Sequence, residues 1–173
     1  MGPILSAMNR EAFISAMGRA VTGVTVVATD GPAGRVAQTV SAMCSVSADP
    51  PLLLVCLNHR SPARAAVAAN AVFSVNVLAD HQTHVSDTFA GRPATGTPYD
   101  FGCAGWSEAA TGSPVLDDAS ATFDCVLEAA HDAGTHTVFI GRVVESGCAG
   151  HVPLAYTDRG YGRPTPIAME VAA

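Results

Sequence analysis

The amino-acid sequence predicts a mainly β protein, a barrel of antiparallel strands with a few short helices. Runs rich in β-branched and apolar residues recur along the 173-residue chain, and turn residues separate them. The helical segments are few and are not regularly placed between strands, as a parallel doubly wound sheet would require. The length suits a single domain, since most domains hold roughly 100–200 residues. We therefore expect one domain over residues 1–173, with its core at about residues 10–163.

The chain begins with a predicted helix, which a predicted β-hairpin follows. Asn9 is a suitable N-cap for a helix that runs to about Arg19, and apolar side chains recur on one face at helical spacing. Residues 23–29 are β-branched at nearly every position, which favours a strand. The composition of residues 30–32, Asp-Gly-Pro, is typical of a turn. Residues 36–43 are therefore expected to return as the second strand of the hairpin.

A rigid corner and a buried strand come next. Residues 49–51, Asp-Pro-Pro, exclude a helix, and the apolar run at residues 52–57 favours a strand buried on both faces. Ser61 and Pro62 suit the N-cap and first turn of a short helix. The remaining predicted elements are a strand at 71–78, a helix at 81–89 capped by Asp80, a loop at 91–112 with one short strand, strands at 119–130 and 136–145, and a tail from Pro153 with Tyr156 and Tyr161.

The composition excludes several classes of protein. The net charge is −6 and all nine basic residues are Arg, so the chain lacks the clustered basic surface typical of nucleic-acid-binding proteins. Its longest apolar stretch, residues 50–57, is far shorter than the ~20 residues of a membrane-spanning helix. No targeting segment is evident before Arg10. We therefore expect a soluble, cytoplasmic protein that binds neither nucleic acid nor membranes.

The usual signatures of metal sites and of nucleophilic catalysis are missing. The five cysteines are odd in number and show no CxxC spacing, which fits neither a disulfide framework nor a thiolate site. His81 and His84 stand at helical spacing without a convincing third ligand, so we interpret them as exposed helix residues and predict no metal. Ser86 and Asp87 lack the strained turn and oxyanion hole of a catalytic triad. The motifs GxGxxG, GxxxxGK[ST] and GxSxG do not occur.

The hydroxyl-rich segment at residues 38–41, Gln-Thr-Val-Ser, is the most unusual polar feature. It is embedded between apolar strands, just before Met43-Cys44-Ser45. These side chains could simply be hydroxyls at a sheet edge, or they could be donors that line a groove for a polar, partly aromatic ligand. Periodicity alone leaves both interpretations open.

The order and spacing of several short blocks resemble the flavin reductase family, short-chain reductases that supply flavin-dependent two-component monooxygenases. The resemblance covers roughly residues 13–161, nearly the whole chain. The blocks are Thr22-Gly23-Val24-Thr25-Val26-Val27, Gln38-Thr39-Val40-Ser41, Ser45-Val46-Ser47-Ala48-Asp49-Pro50-Pro51-Leu52, Phe73-Ser74-Val75-Asn76-Val77-Leu78, Phe89-Ala90-Gly91, Gly112-Ser113-Pro114-Val115-Leu116, Gly134-Thr135-His136 and Gly141-Arg142-Val143.

The resemblance implies an FMN-binding split β-barrel with Greek-key topology, a homodimer with flavin near the subunit interface. It also implies an NAD(P)H:flavin oxidoreductase, which transfers a hydride from NADH or NADPH to FMN or FAD. Reduced flavin would then reach a partner monooxygenase by diffusion. Two alternatives stay open: a related split-barrel oxidoreductase that acts on another substrate, and a non-catalytic flavin-binding protein.

The resemblance also implies roles for particular residues. Residues 38–42 would line the isoalloxazine edge and residues 56–58 would flank the ribityl chain. Residues 61–62 would open the helix whose N-terminus faces the phosphate, in keeping with the affinity of helix N-termini for anions. His136 would lie over the ring near the nicotinamide and is the candidate catalytic residue. The implied cofactor-binding residues are Gln38, Thr39, Val40, Ser41, Ala42, Ser45, Val46, Cys56, Leu57, Asn58, Ser61, Pro62, Phe89, Ala90, Gly91, Arg92, Arg159 and Tyr161.

This chain departs from the family pattern at two places. Relatives commonly have Gly-Asp-His where this chain has Gly134-Thr135-His136, so a carboxylate is replaced by a hydroxyl. The segment Asn58-His59-Arg60 is also more basic than in many relatives. The first change bears on how the nicotinamide is bound, and the second on how the phosphate or pyrophosphate is held.

Overall fold

A computed structural model describes residues 9–167 of the chain. Residues 1–8 and 168–173 of the predicted domain lie outside the described residues. A short 3₁₀ helix occupies Phe101–Cys103. In chain order, the other elements are α1 (Arg10–Gly18), β1 (Thr22–Gly23), β2 (Thr25–Thr29), β3 (Val36–Val40), β4 (Met43–Ala48), β5 (Pro51–Asn58), α2 (Pro62–Asn70), β6 (Val72–Val77), α3 (Thr83–Phe89), β7 (Trp106–Glu108), β8 (Pro114–Leu116), β9 (Ala121–Ala133), β10 (His136–Cys148), β11 (Ala155–Thr157) and β12 (Gly160–Gly162).

The main sheet has seven strands in the order β3-β2-β6-β9-β10-β5-β4, and all neighbouring pairs are antiparallel. Its two edge strands, β3 and β4, are joined by only Ser41 and Ala42. In a flat sheet these edges would lie about 29 Å apart, because neighbouring strands are spaced by ~4.8 Å. Two linking residues span at most about 11 Å. The sheet must therefore curl until its edges meet, which confirms the predicted barrel.

The core consists of two apolar clusters, and β2 separates them. Val26 and Ala28 belong to the cluster that α3 covers, whereas Val27 between them belongs to the other. The second cluster contains Phe73 and Phe139, both fully buried, and α2 packs against it. Since β2 is buried on both faces, the β-branched run predicted as a strand forms the centre of the fold.

Several predicted elements have different bounds from those expected. The predicted strand at residues 36–43 is wrong as one element, because the chain leaves β3 after Val40 and starts β4 at Met43. The predicted strand at 23–29 is also divided, since Val24 donates to the carbonyl of Leu154 between β1 and β2. Strands β9 and β10 each extend three residues beyond their predicted ends.

The prediction that residues 52–57 are buried on both faces is wrong. Along β5, Leu53, Val55 and Leu57 point into the core, whereas the alternate residues are only half-buried. An uninterrupted apolar run cannot by itself reveal this alternation, because the outward residues are apolar as well. The half-buried side chains on this outer face are Leu52, Leu54 and Cys56 of β5, with Val138 and Ile140 of the paired strand β10.

The predicted start of α3 is wrong as well. The helix begins at Thr83 and Asp80 does not cap it. The carboxylate of Asp80 instead lies 3.4 Å from Arg163. Gln82 fixes the backbone before the helix, since its side-chain amide accepts from the backbone N–H of Ala79 and donates to the carbonyl of Asp117. His81 therefore precedes the helix.

The other predicted helices are confirmed. Asn9 caps α1 through the backbone N–H of Glu11, and Ser61 caps α2 with Pro62 in the first turn. Among the described residues, none of the helices combines the length and apolar character that crossing a membrane would take.

Candidate functional site

A groove of about 420 Å³ lies at the seam where the two edges of the barrel meet. Its floor is formed by the β3–β4 junction and the outward-facing end of β5. The start of α2 and the start of β10 contribute further walls. The lining residues are Gln38, Thr39, Val40, Ser41, Ala42, Cys56, Asn58, Arg60, Ser61, Pro62, Tyr99 and His136.

A smaller cavity of about 180 Å³ adjoins the groove. The two share Thr39, Val40 and Ser41, so the β3–β4 junction forms a common wall. The other residues of this side cavity are Val24, Ser86, Ala90, Arg92, Tyr156 and Tyr161.

The polar side chains of β3 hold the walls of the groove together. Gln38 accepts a hydrogen bond from the Ser61 hydroxyl at 2.9 Å and donates to the carbonyl of Phe89 at 3.0 Å. The hydroxyl of Thr39 donates to the carbonyl of Ser86 at 2.7 Å. These contacts tie the N-terminus of α2 and the body of α3 to β3. The hydroxyl-rich segment therefore lines a groove, which was one of the two interpretations of its sequence. Gln38 and Thr39 also hold the neighbouring helices in place through their hydrogen bonds.

The N-terminus of α2 provides the electropositive end of the groove. The Ser61 hydroxyl accepts from the backbone N–H of Ala63 at 3.2 Å, and Pro62 occupies the first turn. Arg60 lies directly before this cap, where its backbone N–H donates to the Asn58 side chain at 2.9 Å. A helix N-terminus carries a partial positive charge, and here Arg60, which also lines the groove, directly precedes the cap.

His136 is the first residue of β10 and reaches the groove from the β9–β10 hairpin. Its Cα pairs in register with Asn58 of β5, which lines the same groove. The hairpin therefore brings His136 next to the end of β5 that leads into α2. The thiol of Cys56 is also part of this surface, and burial raises its pKa, so it stays neutral near pH 7.

A tyrosine–carboxylate cluster forms the far wall of the side cavity. The hydroxyl of Tyr161 donates to Asp87 at 2.7 Å and lies 2.9 Å from the hydroxyl of Ser86. Burial, together with the carboxylate of Asp87, raises the pKa of Tyr161, so its hydroxyl remains a donor near neutral pH. Arg92 lies 3.9 Å from the same carboxylate, and the hydroxyls of Tyr156 and Tyr161 raise its pKa. Arg92 therefore gives the cavity a permanent positive charge.

Most of the sequence-predicted site residues meet at these two cavities. The structure brings Gln38, Thr39, Val40, Ser41, Ala42, Cys56, Asn58, Ser61, Pro62 and His136 to the groove, and Ala90, Arg92 and Tyr161 to the side cavity.

Six predicted residues line neither cavity. Leu57 and Phe89 are fully buried in the core clusters. Leu57 points to the opposite side of β5 from its groove-lining neighbours Cys56 and Asn58. Arg159 borders a separate cavity beside α1. Ser45 and Val46 are exposed on the outer part of β4, and Gly91 lies under the phenol of Tyr99.

Two groove residues, Arg60 and Tyr99, were not among the predicted binding residues. The sequence did hint at a binding role for Arg60, since this residue belongs to the unusually basic segment before α2. Tyr99 lies in the irregular loop before the 3₁₀ helix, and its backbone N–H donates to the carbonyl of Thr88. The only feature of the sequence that could have indicated Tyr99 as a groove residue is that it is an isolated aromatic residue in a loop rich in Gly, Pro and Thr. The side-cavity residues Val24, Ser86 and Tyr156 were likewise not predicted to bind.

Comparison with known proteins assigns this arrangement to a family. The flavin reductase like domain matches residues 17–165 of the chain. The FMN reductase (NADH) RutF of Variovorax paradoxus (strain S110) is 45% identical over 152 residues, which cover 86% of this chain and 82% of that protein.

Two solved structures of flavin reductases share the fold. The structure of flavin reductase PheA2 matches with a TM-score of 0.84 and 31% sequence identity. The match covers 92% of this chain and 100% of the PheA2 chain. The styrene monooxygenase flavin reductase from Pseudomonas putida S12 matches with a TM-score of 0.78 and 29% sequence identity. That match covers 90% of this chain and 99% of the reductase chain. The family match, the identities and the shared split-barrel fold agree with the resemblance of the sequence blocks. The chain therefore belongs to the flavin reductase like domain family.

Proposed function

We propose that the protein is a flavin reductase that transfers a hydride from NADH to FMN and releases the reduced flavin to a flavin-dependent monooxygenase. The observation that carries this proposal is the groove at the barrel seam, where the N-terminus of α2 and the His136 end of the hairpin come together. Its volume of about 420 Å³ falls within the range of ~300–1,000 Å³ that small-molecule sites occupy. The name of the curated relative, FMN reductase (NADH), supports the choice of both ligands.

The residues of the groove fit a flavin phosphate at one end. The chain contains no Lys, so a phosphate must be held by Arg, hydroxyl or backbone N–H groups. Arg60 lies at this end of the groove, directly before the Ser61 cap, and the positive end of the α2 dipole adds to its charge. We assign the phosphate of FMN to this end of the groove.

The β3–β4 junction suits the polar edge of the flavin ring. FMN and NADH supply the hydride chemistry themselves, so the protein must bind, orient and shield the two ligands. Ser41 and Ala42 stand between the two strands and line the groove. The carbonyl of Ala42 accepts from the backbone N–H of Cys56, which fixes the direction of the junction. We assign to its backbone N–H groups the stabilisation of negative charge at the ring edge.

We assign the nicotinamide to the His136 side of the groove. A neutral imidazole can hydrogen-bond the carboxamide or pack over the ring, and either contact orients the nicotinamide without moving a proton. Arg92 offers a cation for a further polar part of either ligand, and Tyr161, whose phenolic proton Asp87 accepts, lines the same side cavity.

The outer face of β5 and β10 supports a homodimer. Leu52, Leu54 and Ile140 form an apolar surface there, and Cys56 continues it into the groove. An apolar surface of this kind marks an interface in many soluble proteins. A second subunit on this face would also shield the flavin from water, which strengthens the electrostatic contacts in the groove.

NADH oxidation by the purified protein, measured with FMN, with FAD and without flavin, tests the proposal. We expect oxidation that requires flavin and is fastest with NADH and FMN, and a repeat with NADPH tests the choice of nicotinamide. Flavin binding without NADH oxidation would contradict the proposal and favour a non-catalytic flavin-binding protein.

A further inference from the structure

We propose that Thr135 is a positioning residue for His136: its hydroxyl holds the imidazole in the groove and leaves Nε2 available to the nicotinamide carboxamide. The inference rests on the proposed reductase function and adds a residue that acts through His136. It starts from the contact between the hydroxyl of Thr135 and the imidazole of His136.

The turn between β9 and β10 places Thr135 beside the imidazole. Ala133 and His136 are paired in register, so Gly134 and Thr135 form a two-residue hairpin loop. Gly134 has a φ of 60°, whereas Thr135 has no positive φ, which is the pattern of a type II′ turn. The hydroxyl of Thr135 then lies 2.9 Å from Nδ1 of His136.

A second contact fixes Thr135 itself. Its carbonyl accepts a hydrogen bond from the backbone N–H of His59 at 2.9 Å. His59 immediately precedes Arg60 in the loop that opens α2, so the tip of the hairpin is tied to the loop that carries Arg60 into the groove. The backbone of Thr135 is therefore anchored independently of its hydroxyl, and the hydroxyl can hold the ring in one orientation.

The carboxylate of Asp132, on the same hairpin, is engaged elsewhere. Asp132 accepts from the hydroxyl of Thr137 at 2.6 Å and lies 3.4 Å from Arg64 and 3.3 Å from His59. The hydroxyl of Thr137 and the charge of Arg64 hold the pKa of Asp132 below its ordinary value. Thr135 is thus the side chain that meets Nδ1 of His136 among the described hydrogen bonds.

A hydroxyl and a carboxylate impose different states on a histidine. An ionised carboxylate only accepts hydrogen bonds, so it fixes a proton on Nδ1 and favours the imidazolium. A hydroxyl both donates and accepts, so it holds the neutral ring with the proton on either nitrogen. With Thr135 as donor to Nδ1, the Nε2–H of a neutral His136 donates to the carbonyl oxygen of the carboxamide.

Steady-state kinetics of Thr135→Val and Thr135→Ser test the inference. Valine keeps the shape and β-branching of threonine but removes the hydroxyl, whereas serine keeps the hydroxyl. We expect Thr135→Val to raise the KM for NADH about five-fold, the loss of one ordinary hydrogen bond, while the KM for FMN stays unchanged. Thr135→Ser should restore the wild-type KM for NADH. Thr95→Val, an exposed position outside the groove, is the matched control.

A double-mutant cycle with His136→Ala separates positioning from a structural role. If Thr135 acts through His136, adding Thr135→Val to His136→Ala changes the KM for NADH no further. Effects that multiply, an equal rise in the KM for FMN, or a Thr135→Ser variant as impaired as Thr135→Val would each overturn the inference. If Thr135→Val fails to fold, Thr135→Ala replaces it in the same cycle. Failure of the proposed function itself would appear separately, as a wild-type protein that does not reduce flavin.

Discussion

Gln38 links three parts of the groove wall at the scale of single residues. Its amide joins β3 to the cap of α2 and to the end of α3 at the carbonyl of Phe89. The sequence indicated this residue as part of the hydroxyl-rich segment at 38–41, and the resemblance to the family gave that segment a binding role. It could not indicate the partners, which are 23 and 51 residues away and meet Gln38 only after the barrel closes. Tyr99 escaped prediction for the same reason, because its position depends on the path of an irregular loop.

Removing the hydroxyl of Ser61 should weaken flavin binding. The Ser61→Ala variant loses the cap of α2 and the hydrogen bond to Gln38. We expect the free energy of flavin binding to fall by roughly 1 kcal/mol, the usual effect of one hydroxyl at a helix N-terminus. Fluorescence titration with FMN measures it.

Asn9→Ala is the matched control for this variant, since Asn9 caps α1 away from the groove. It should leave the flavin affinity unchanged. An equally unchanged affinity in Ser61→Ala would show that Ser61 serves only to cap its helix.

Replacing His136 should affect the nicotinamide more than the flavin. We expect His136→Ala to raise the KM for NADH and to lower kcat, because the nicotinamide loses the contact that orients it, while the affinity for FMN changes little. Steady-state kinetics against each substrate in turn measure the two effects. A loss confined to flavin binding would instead make His136 a flavin contact.

At the scale of elements, the junction between β3 and β4 decides where the site forms. Short apolar runs, turns and two capped helices were predictable, since each depends on local sequence. The break at Ser41 and Ala42 was not, because it depends on two strands that are neighbours along the chain but lie at opposite edges of the sheet. The outward face of β5 was missed for a related reason, since the surface it presents is as apolar as its buried face.

The packing of β10 against β6 and β9 depends on Gly141. A Cβ at this position would lie 2.5 Å from Cζ of Phe73 and 2.9 Å from Cβ of Cys125, both of which are buried. Gly141→Ala should therefore lower the free energy of unfolding by about 1–3 kcal/mol, the usual cost of overpacking a core. Denaturant unfolding followed by circular dichroism measures it.

Gly162→Ala is the control for this substitution, because a Cβ at Gly162 meets no atom within 4 Å. Its free energy of unfolding should match that of the wild type. Equal stability of the two variants would show that the strands around Gly141 adjust at little cost.

At the scale of the whole molecule, the apolar outer face of β5 and β10 should make the protein a homodimer. The face includes Leu52, Leu54, Val138 and Ile140, and it runs into the groove at Cys56. Light scattering at micromolar concentration should give about twice the chain mass of 17.6 kDa. A measured mass equal to that of a single chain would contradict the dimer.

Anaerobic reduction of excess FMN by NADH, with a small amount of the protein, tests the central claim most directly. If the groove binds FMN as a substrate that is released after reduction, the protein should bleach many equivalents of free FMN, and it should be nearly colourless after dialysis. Bleaching limited to one equivalent per subunit would make flavin a bound prosthetic group. No bleaching at any concentration of NADH would contradict the assignment of this groove to flavin reduction.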